Sequence, residues 1–500
     1  MPSQRAQTGI RGLDDALTGG LPRGRIYLLK GAAGAGKTTM GLQFLLNGAA
    51  QGESGLYVAL SENRAELEEV AHSHGWDLNA IEVQEMVDSG EVRVEDDNTL
   101  FLPAEVELGE TTRRILEAVE RTGSSRVVID SLSEIRYLAG TEVRYRRQVM
   151  ALKQLFMSKN CTAFLVDDEV EGQGSTLLES IAHGVLLLEQ IFPKYGPERR
   201  RLLVTKLRGV KYRGGFHDMR IKTGGLAVFP RLIPEEHRKP FPPEALSSGL
   251  SELDRMLGGG LDRGTTTLVM GPAGTGKSVL ATQYATAAAL RGESSLFLIF
   301  EESRETLFAR TQALGIPMVE QVDAGRIRLQ AMNPVEITPG EFTQIVRDAV
   351  EQHGVRLVVI DSLNGYFNAM PEEKLLELQL HELFRYLRQL GVSVILTLAQ
   401  QGVVNTVTAG PIDLSYLADT LVLLRYFEAA GQIRKSISIP KKRGGRHESA
   451  IRELAMDRLG LHVGEPLTAF RGVLTGLPEY TGAPANDLIP EPEQPHSGDR

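Results

Sequence analysis

Continuous apolar runs of five or six residues recur along this chain, and the same three recur in the same order in each half. In the first half they are Arg25-Ile-Tyr-Leu-Leu-Lys30, Gly55-Leu-Tyr-Val-Ala-Leu60 and Arg126-Val-Val-Ile-Asp130. In the second they are Thr265-Thr-Thr-Leu-Val-Met270, Ser295-Leu-Phe-Leu-Ile-Phe300 and Leu357-Val-Val-Ile-Asp361. Their β-branched, non-alternating composition predicts strands covered on both faces, as in a parallel sheet between helix layers. The segment that follows the first run of each set is apolar and helix-like. The prediction is an α/β fold in each half, with a mostly parallel central sheet flanked by helices.

The halves are a tandem repeat. Residues 8–24 line up with residues 248–264, and the lysines of two glycine-rich loops keep the same offset, 277 − 37 = 240. Those loops read Gly31-Ala-Ala-Gly-Ala-Gly-Lys37-Thr38 and Gly271-Pro-Ala-Gly-Thr-Gly-Lys277-Ser278. Both match G-x-x-x-x-G-K-[ST], and both stand between a predicted strand and a predicted helix, the context that gives this pattern its chemistry. Gly31, Gly34, Gly36 and Gly271, Gly274, Gly276 let the backbone turn its N–H groups toward phosphate oxygens. Lys37 and Lys277 reach the β- and γ-phosphates, while Thr38 (followed by Thr39) and Ser278 offer hydroxyls to Mg²⁺. We therefore expect two P-loop sites for a nucleoside triphosphate, with ATP and Mg²⁺ as cofactors.

Length and composition fit that plan. With 500 residues and 42% hydrophobic positions, the chain has room for two domains with separate cores. The expected boundaries are 1–235 and 236–480, with residues 481–500 too rich in Pro and polar residues to bury a core and read as a disordered tail. Five prolines between Pro230 and Glu244 predict an extended linker. The single cysteine, Cys161, excludes a disulfide framework, and no apolar stretch approaches the ~20 residues that span a bilayer. A cytoplasmic protein without membrane contact is expected.

The acids that end the predicted strands supply candidate chemistry. Asp130 and Asp361 would stand at the sheet edge beside the loops, placed to hold Mg²⁺ directly or through water. Hydrolysis also needs a carboxylate that orients or deprotonates water. In the second copy Glu301 and Glu302 follow the strand after the loop helix, with Glu301 the foremost candidate base. In the first copy the corresponding pair is Ser61-Glu62, and strand alternation would turn Glu62 to the other face.

Taken together, the duplicated loop domain, the paired acids, the Ile-Asp-Ser strand ends and two Lys-x-Arg-Gly elements resemble the KaiC family of circadian-clock ATPases and autokinases. The resemblance covers roughly residues 5–475 and implies two tandem RecA-like P-loop NTPase domains assembled as a double-ring homohexamer with nucleotide at subunit interfaces. It implies that a neighbouring subunit completes each site with Lys206 and Arg208 in the first ring and Lys441 and Arg443 in the second. It further implies serine/threonine autokinase activity in the second domain. There Ser415 stands at the first position of the family's Ser-Thr acceptor pair, with Glu301 taking its proton, and Tyr416 replaces the threonine. Signalling or clock proteins are the implied partners.

Two other classes compete. A RecA-like motor on single-stranded DNA needs lysine, arginine and aromatics along its track. Residues 160–193 and 389–424, which follow the core strand in each copy, contain no Lys or Arg, and the net charge is −9, so no nucleic-acid partner is expected. A nucleotide-switched scaffold without kinase activity would suit Ser61 in place of a carboxylate.

Overall fold

The computed structural model describes residues 5–86, 103–168, 176–333, 335–368, 376–400, 416–473 and 479–481. It divides into two compact units, Met1–Arg231 and Leu232–Arg500. Among the described residues no helix is long and apolar enough to cross a membrane.

The first unit is built on a nine-stranded sheet. Its strands are β1 (Ile26–Gly31), β2 (Gly55–Ala59), β3 (Glu82–Glu85), β4 (Arg126–Asp130), β5 (Thr162–Asp168), β6 (Gly184–Ile191), β7 (Arg199–Leu207), β8 (Phe216–Lys222) and β9 (Gly225–Phe229). They lie in the order β9-β8-β7-β6-β1-β5-β4-β2-β3, and β1 to β6 are parallel while β7 to β9 form an antiparallel extension. Period-two alternation sends the central strands into two cores. Tyr27, Leu29, Tyr57, Val128, Phe164 and Val166 pack on the face of α1 (Lys37–Ala50). Ile26, Leu28, Leu56, Val58, Val127 and Ile129 pack on the other, against α2 (Pro103–Thr122), α3 (Leu132–Ala139) and α4 (Glu142–Ser158). That double burial is why these runs carry no polar alternation.

The second unit repeats the plan with β10 (Thr266–Gly271), β11 (Ser295–Ile299), β12 (Ile327–Ala331), β13 (Leu357–Asp361), β14 (Ser393–Ala399), β15 (Thr420–Ala429), β16 (Gln432–Lys442), β17 (Arg452–Asp457) and β18 (Gly460–Pro466). The order is β12-β11-β13-β14-β10-β15-β16-β17-β18, again nine strands. Its helices include α5 (Lys277–Leu290), α6 (Arg304–Ala313), α7 (Leu363–Asn368) and α8 (Leu376–Gln389).

The proline-rich stretch is not a free linker. Leu232 is buried in a core of the second unit, and Pro234–His237 form a 3₁₀ turn. Glu235 pairs with Arg385 of α8 at 2.6 Å, and the Lys239 N–H donates to Gln389 O at 3.1 Å. The Phe241 ring lies so close to Gly391 that a Cβ there would meet it at 2.5 Å. Prolines extend this segment, but its interspersed Leu232 and Phe241 anchor it. The tail beyond residue 481 lies outside the described residues.

Candidate functional site

In each unit the parallel strands bring their C-terminal ends to one edge of the sheet, and the glycine-rich loop emerges at that edge, from β1 in the first and β10 in the second. Gly36 and Gly276 cap α1 and α5 with φ of 101° and 105°, a left-handed conformation that favours glycine. A Cβ would also land 2.9 Å from Ile221 in one copy and 2.8 Å from Met456 in the other. The loops are braced differently. Arg200 Nε donates to Gly34 O at 3.2 Å, whereas Tyr426 Oη donates to Ala273 O at 3.0 Å. Neither residue carries a local sequence signal, because each arrives from the strand beside the loop or one further out.

Asp130 and Asp361 occupy the predicted place, and each accepts from the hydroxyl that ends its loop. Thr38 Oγ1 donates to Asp130 Oδ2 at 2.9 Å and Ser278 Oγ to Asp361 Oδ1 at 3.1 Å. The peptide bond after each aspartate, Asp130–Ser131 and Asp361–Ser362, is cis. A second donor comes from a different strand in each copy. Tyr57 Oη, on β2, donates to Asp130 Oδ2 at 2.5 Å, and Thr397 Oγ1, on β14, donates to Asp361. Burial pushes the Asp130 carboxyl up, with the Tyr57 and Thr38 hydrogen bonds and the Lys37 charge pulling the other way. Thr39, next along, is buried.

The lysines differ more. Lys37 Nζ donates to Gly31 O and Ala32 O at 2.8 and 2.9 Å and forms an ion pair with Asp168 at 2.9 Å. Ser133 and Ser131 donate to the other Asp168 oxygen at 3.0 and 3.2 Å. Burial raises the Asp168 carboxyl, but Lys37 and the two serines outweigh it and hold it below the usual aspartate value. Lys277 Nζ donates to Pro272 O at 2.8 Å. Burial lowers its pKa against the opposing charges of Asp361 and Glu301. Asp168 was not among the residues singled out from the sequence. Its signal is the register, which sets it opposite Gly31 where the second copy sets Ala399 opposite Gly271.

Glu62 corrects one expectation. β2 ends at Ala59, so strand alternation does not govern the residues beyond it. Burial raises the Glu62 carboxyl, and Asp130, Glu66 and Asp168 raise it further while Lys37 opposes them. Its Oε2 is buried and, among the described residues, has no hydrogen-bond partner. Glu62 thus belongs to the electrostatic neighbourhood of the first loop. In the second copy Glu302 is instead tied to Arg310 of α6 at 2.8 Å, and burial raises it against that pull. Glu301 is exposed, and its charge acts on Lys277.

A family model described as "ATPase: KaiC" matches residues 6–233 and again residues 246–468. The chain belongs to the KaiC ATPase family. Among curated KaiC-type relatives it is similar to the circadian clock protein KaiC3 of Synechocystis, at 28% identity over 96% of this chain and 95% of the relative. It is also similar to the circadian clock oscillator proteins KaiC of Picosynechococcus and Thermostichus vulcanus, each at 27% identity over 95% of this chain and 92% of the relative. The KaiC match to each half agrees with the two tandem RecA-like α/β domains. A KaiC ATPase domain takes ATP with magnesium, and the residues here fit both: a glycine-lined loop, a buried lysine, and a hydroxyl held by a buried aspartate.

The Lys-x-Arg elements of this KaiC-family chain lie down the sheet from their own loops. Lys206 Nζ donates to Glu179 O and Arg208 Nη2 to Ser180 O at 2.9 Å. Leu207 pairs with Gly184, which pairs with Tyr27, four residues before Gly31. That sets the element about 13 Å down the sheet from the loop. Lys441 pairs with Leu421, level with Leu268, three residues before Gly271, or about 10 Å away. Arg443 lies further down, its N–H on Asp419 O, and its Nη2 donates to Tyr416 O at 3.1 Å. Ser415 lies outside the described residues.

Proposed function

We propose that this chain is an ATP-hydrolysing KaiC-type protein that assembles as a double-ring homohexamer and phosphorylates itself on Ser415, acting in cytoplasmic signalling or clock-type regulation. One observation carries the reading. Each loop is complete in its own lysine, hydroxyl and aspartate, while the Lys-x-Arg elements lie about 10–13 Å down the same sheet from it. Lys206, Arg208 and Arg443 are engaged away from their own loop, and a second copy of the chain can bring such cations to it.

In the first site Glu62 takes the proton of the attacking water; in the second Glu301 does so. The water oxygen bonds to the γ-phosphorus as the bond to the ADP oxygen breaks. Lys37 or Lys277, with Lys206 and Arg208 or Lys441 and Arg443 of the adjoining copy, balance the charge that develops. A magnesium ion held through Thr38 or Ser278 would neutralise charge between the β- and γ-phosphates, with Asp130 and Asp361 fixing those hydroxyls. For autophosphorylation the Ser415 hydroxyl replaces water and Glu301 again accepts the proton. The Arg443 contact to Tyr416 O supports this, since it ties the residue after Ser415 to the cation that would face a neighbour's nucleotide.

Sizing with and without Mg-ATP, combined with phosphosite mapping, tests the proposal. A nucleotide-dependent hexamer with phosphate on Ser415 is expected. A monomer in ATP would remove the assembly, and an unmodified Ser415 peptide after ATP has been consumed would remove the autokinase.

A further inference from the structure

Asp168 is the residue that most distinguishes the first loop from the second. It closes on Lys37 at 2.9 Å, and two serine hydroxyls hold its other oxygen, so the carboxylate is fixed in place. The same register position in the second copy is Ala399, and among the described residues Lys277 has no ion-pair partner. Lys37 is buried and has already given hydrogen bonds to two loop carbonyls. An ammonium has three donors, so the Asp168 bond takes the last. A triphosphate that engages Lys37 must therefore either displace the carboxylate or accept a like charge on the same ammonium.

We propose that Asp168 competes with the terminal phosphates of ATP for Lys37, so that the first domain holds nucleotide less tightly than its loop alone would allow, a restraint the second domain lacks. This rests on the first loop being a nucleotide site, and the experiment separates the two claims. Asp168 is here a positioning residue that acts through Lys37. Its serine contacts make the restraint a built feature, because they hold the half-exposed carboxylate against Lys37.

The experiment uses the full chain with Lys277→Ala, which removes the second loop's lysine, and isothermal titration with the magnesium complex of the non-hydrolysable analogue AMPPNP. Asp168→Asn and Asp168→Ala, the latter copying Ala399, are expected to tighten binding by about tenfold, equivalent to about 1.4 kcal/mol. The reciprocal Ala399→Asp, in the Lys37→Ala background, is expected to weaken binding at the second loop by a similar factor. A variant that merely damaged the fold would lose affinity, so tighter binding is a readout that structural harm does not produce. Unchanged or weaker binding in both Asp168 variants overturns the competition while leaving the nucleotide site intact. No binding at all by the Lys277→Ala protein overturns the nucleotide reading of the first loop, and the competition with it.

Discussion

Tyr57→Phe removes one oxygen from a fully buried side chain and leaves its ring in place, so the loss is almost purely the hydrogen bond to Asp130. Hydrogen bonds to charged groups contribute about 1.5–3 kcal/mol. Asp130 keeps the Thr38 bond at 2.9 Å, and its upward shift lets protonation relieve part of the loss, so we expect about 2 kcal/mol, toward the low end of that range. The chain's one tryptophan, Trp76, packs on the first unit's core, so its fluorescence in urea follows that unit. With a denaturant slope of about 2–3 kcal/mol per molar, the midpoint should fall by about 0.7–1 M. Adding Val166→Thr is expected to recover more than half of the loss. Val166 stands opposite Leu29 as Thr397 stands opposite Val269, so the new hydroxyl takes the place of the second copy's donor. A midpoint unmoved by Tyr57→Phe, or a double variant no more stable than the single, refutes the reasoning.

Glu301→Gln should remove most steady-state ATP turnover and Glu62→Gln most of the remainder, each by at least about 10²-fold at its own site; intact turnover after Glu301→Gln rejects that base. Mixing Arg208→Ala chains with Lys37→Ala chains should restore first-domain hydrolysis, because one supplies the loop and the other the cation. A mixture no more active than its components excludes completion in trans. Burial, with Lys153, Arg25 and Arg208 around it, lowers His183 to about 4 from 6.5. The stability linked to its neutral form is fully present above pH 6.5 and drains as pH falls toward 4. The Trp76 urea midpoint should therefore drop from pH 7 to 4.5, and His183→Gln should flatten that slope; equal slopes would contradict it. Glu53, pulled down to about 2 by Arg126 and Arg23 despite burial, contributes in the separate window from 4.5 to 2.

What could be read from the sequence was what is local. A buried parallel strand, a glycine-rich turn and an aspartate at a strand end all declare themselves within ten residues, and the two loops with Asp130 and Asp361 stand where expected. What was not legible depends on strands meeting across the sheet. Asp168 gains its meaning from lying opposite Gly31, Arg200 from the strand pairing that returns it to Gly34, and Tyr57 from crossing to Asp130. Glu62 was misjudged because alternation was extended past Ala59, where the strand stops. Between Pro230 and Glu244, proline content outweighed the two apolar anchors that fasten the segment to the second unit.

The different donors to the two aspartates constrain how the halves can exchange DNA. β2 with its tyrosine and β5 with its valine form one matched set; β11 with Phe297 and β14 with Thr397 form the other. A crossover that falls between the members of a set leaves one hybrid half with both cross-strand donors beside the loop hydroxyl at its carboxylate and the other with the loop hydroxyl alone. The half left with the loop hydroxyl alone loses the bond that Tyr57→Phe removes, so an exchange that carries these two strands as a block costs less than one that parts them.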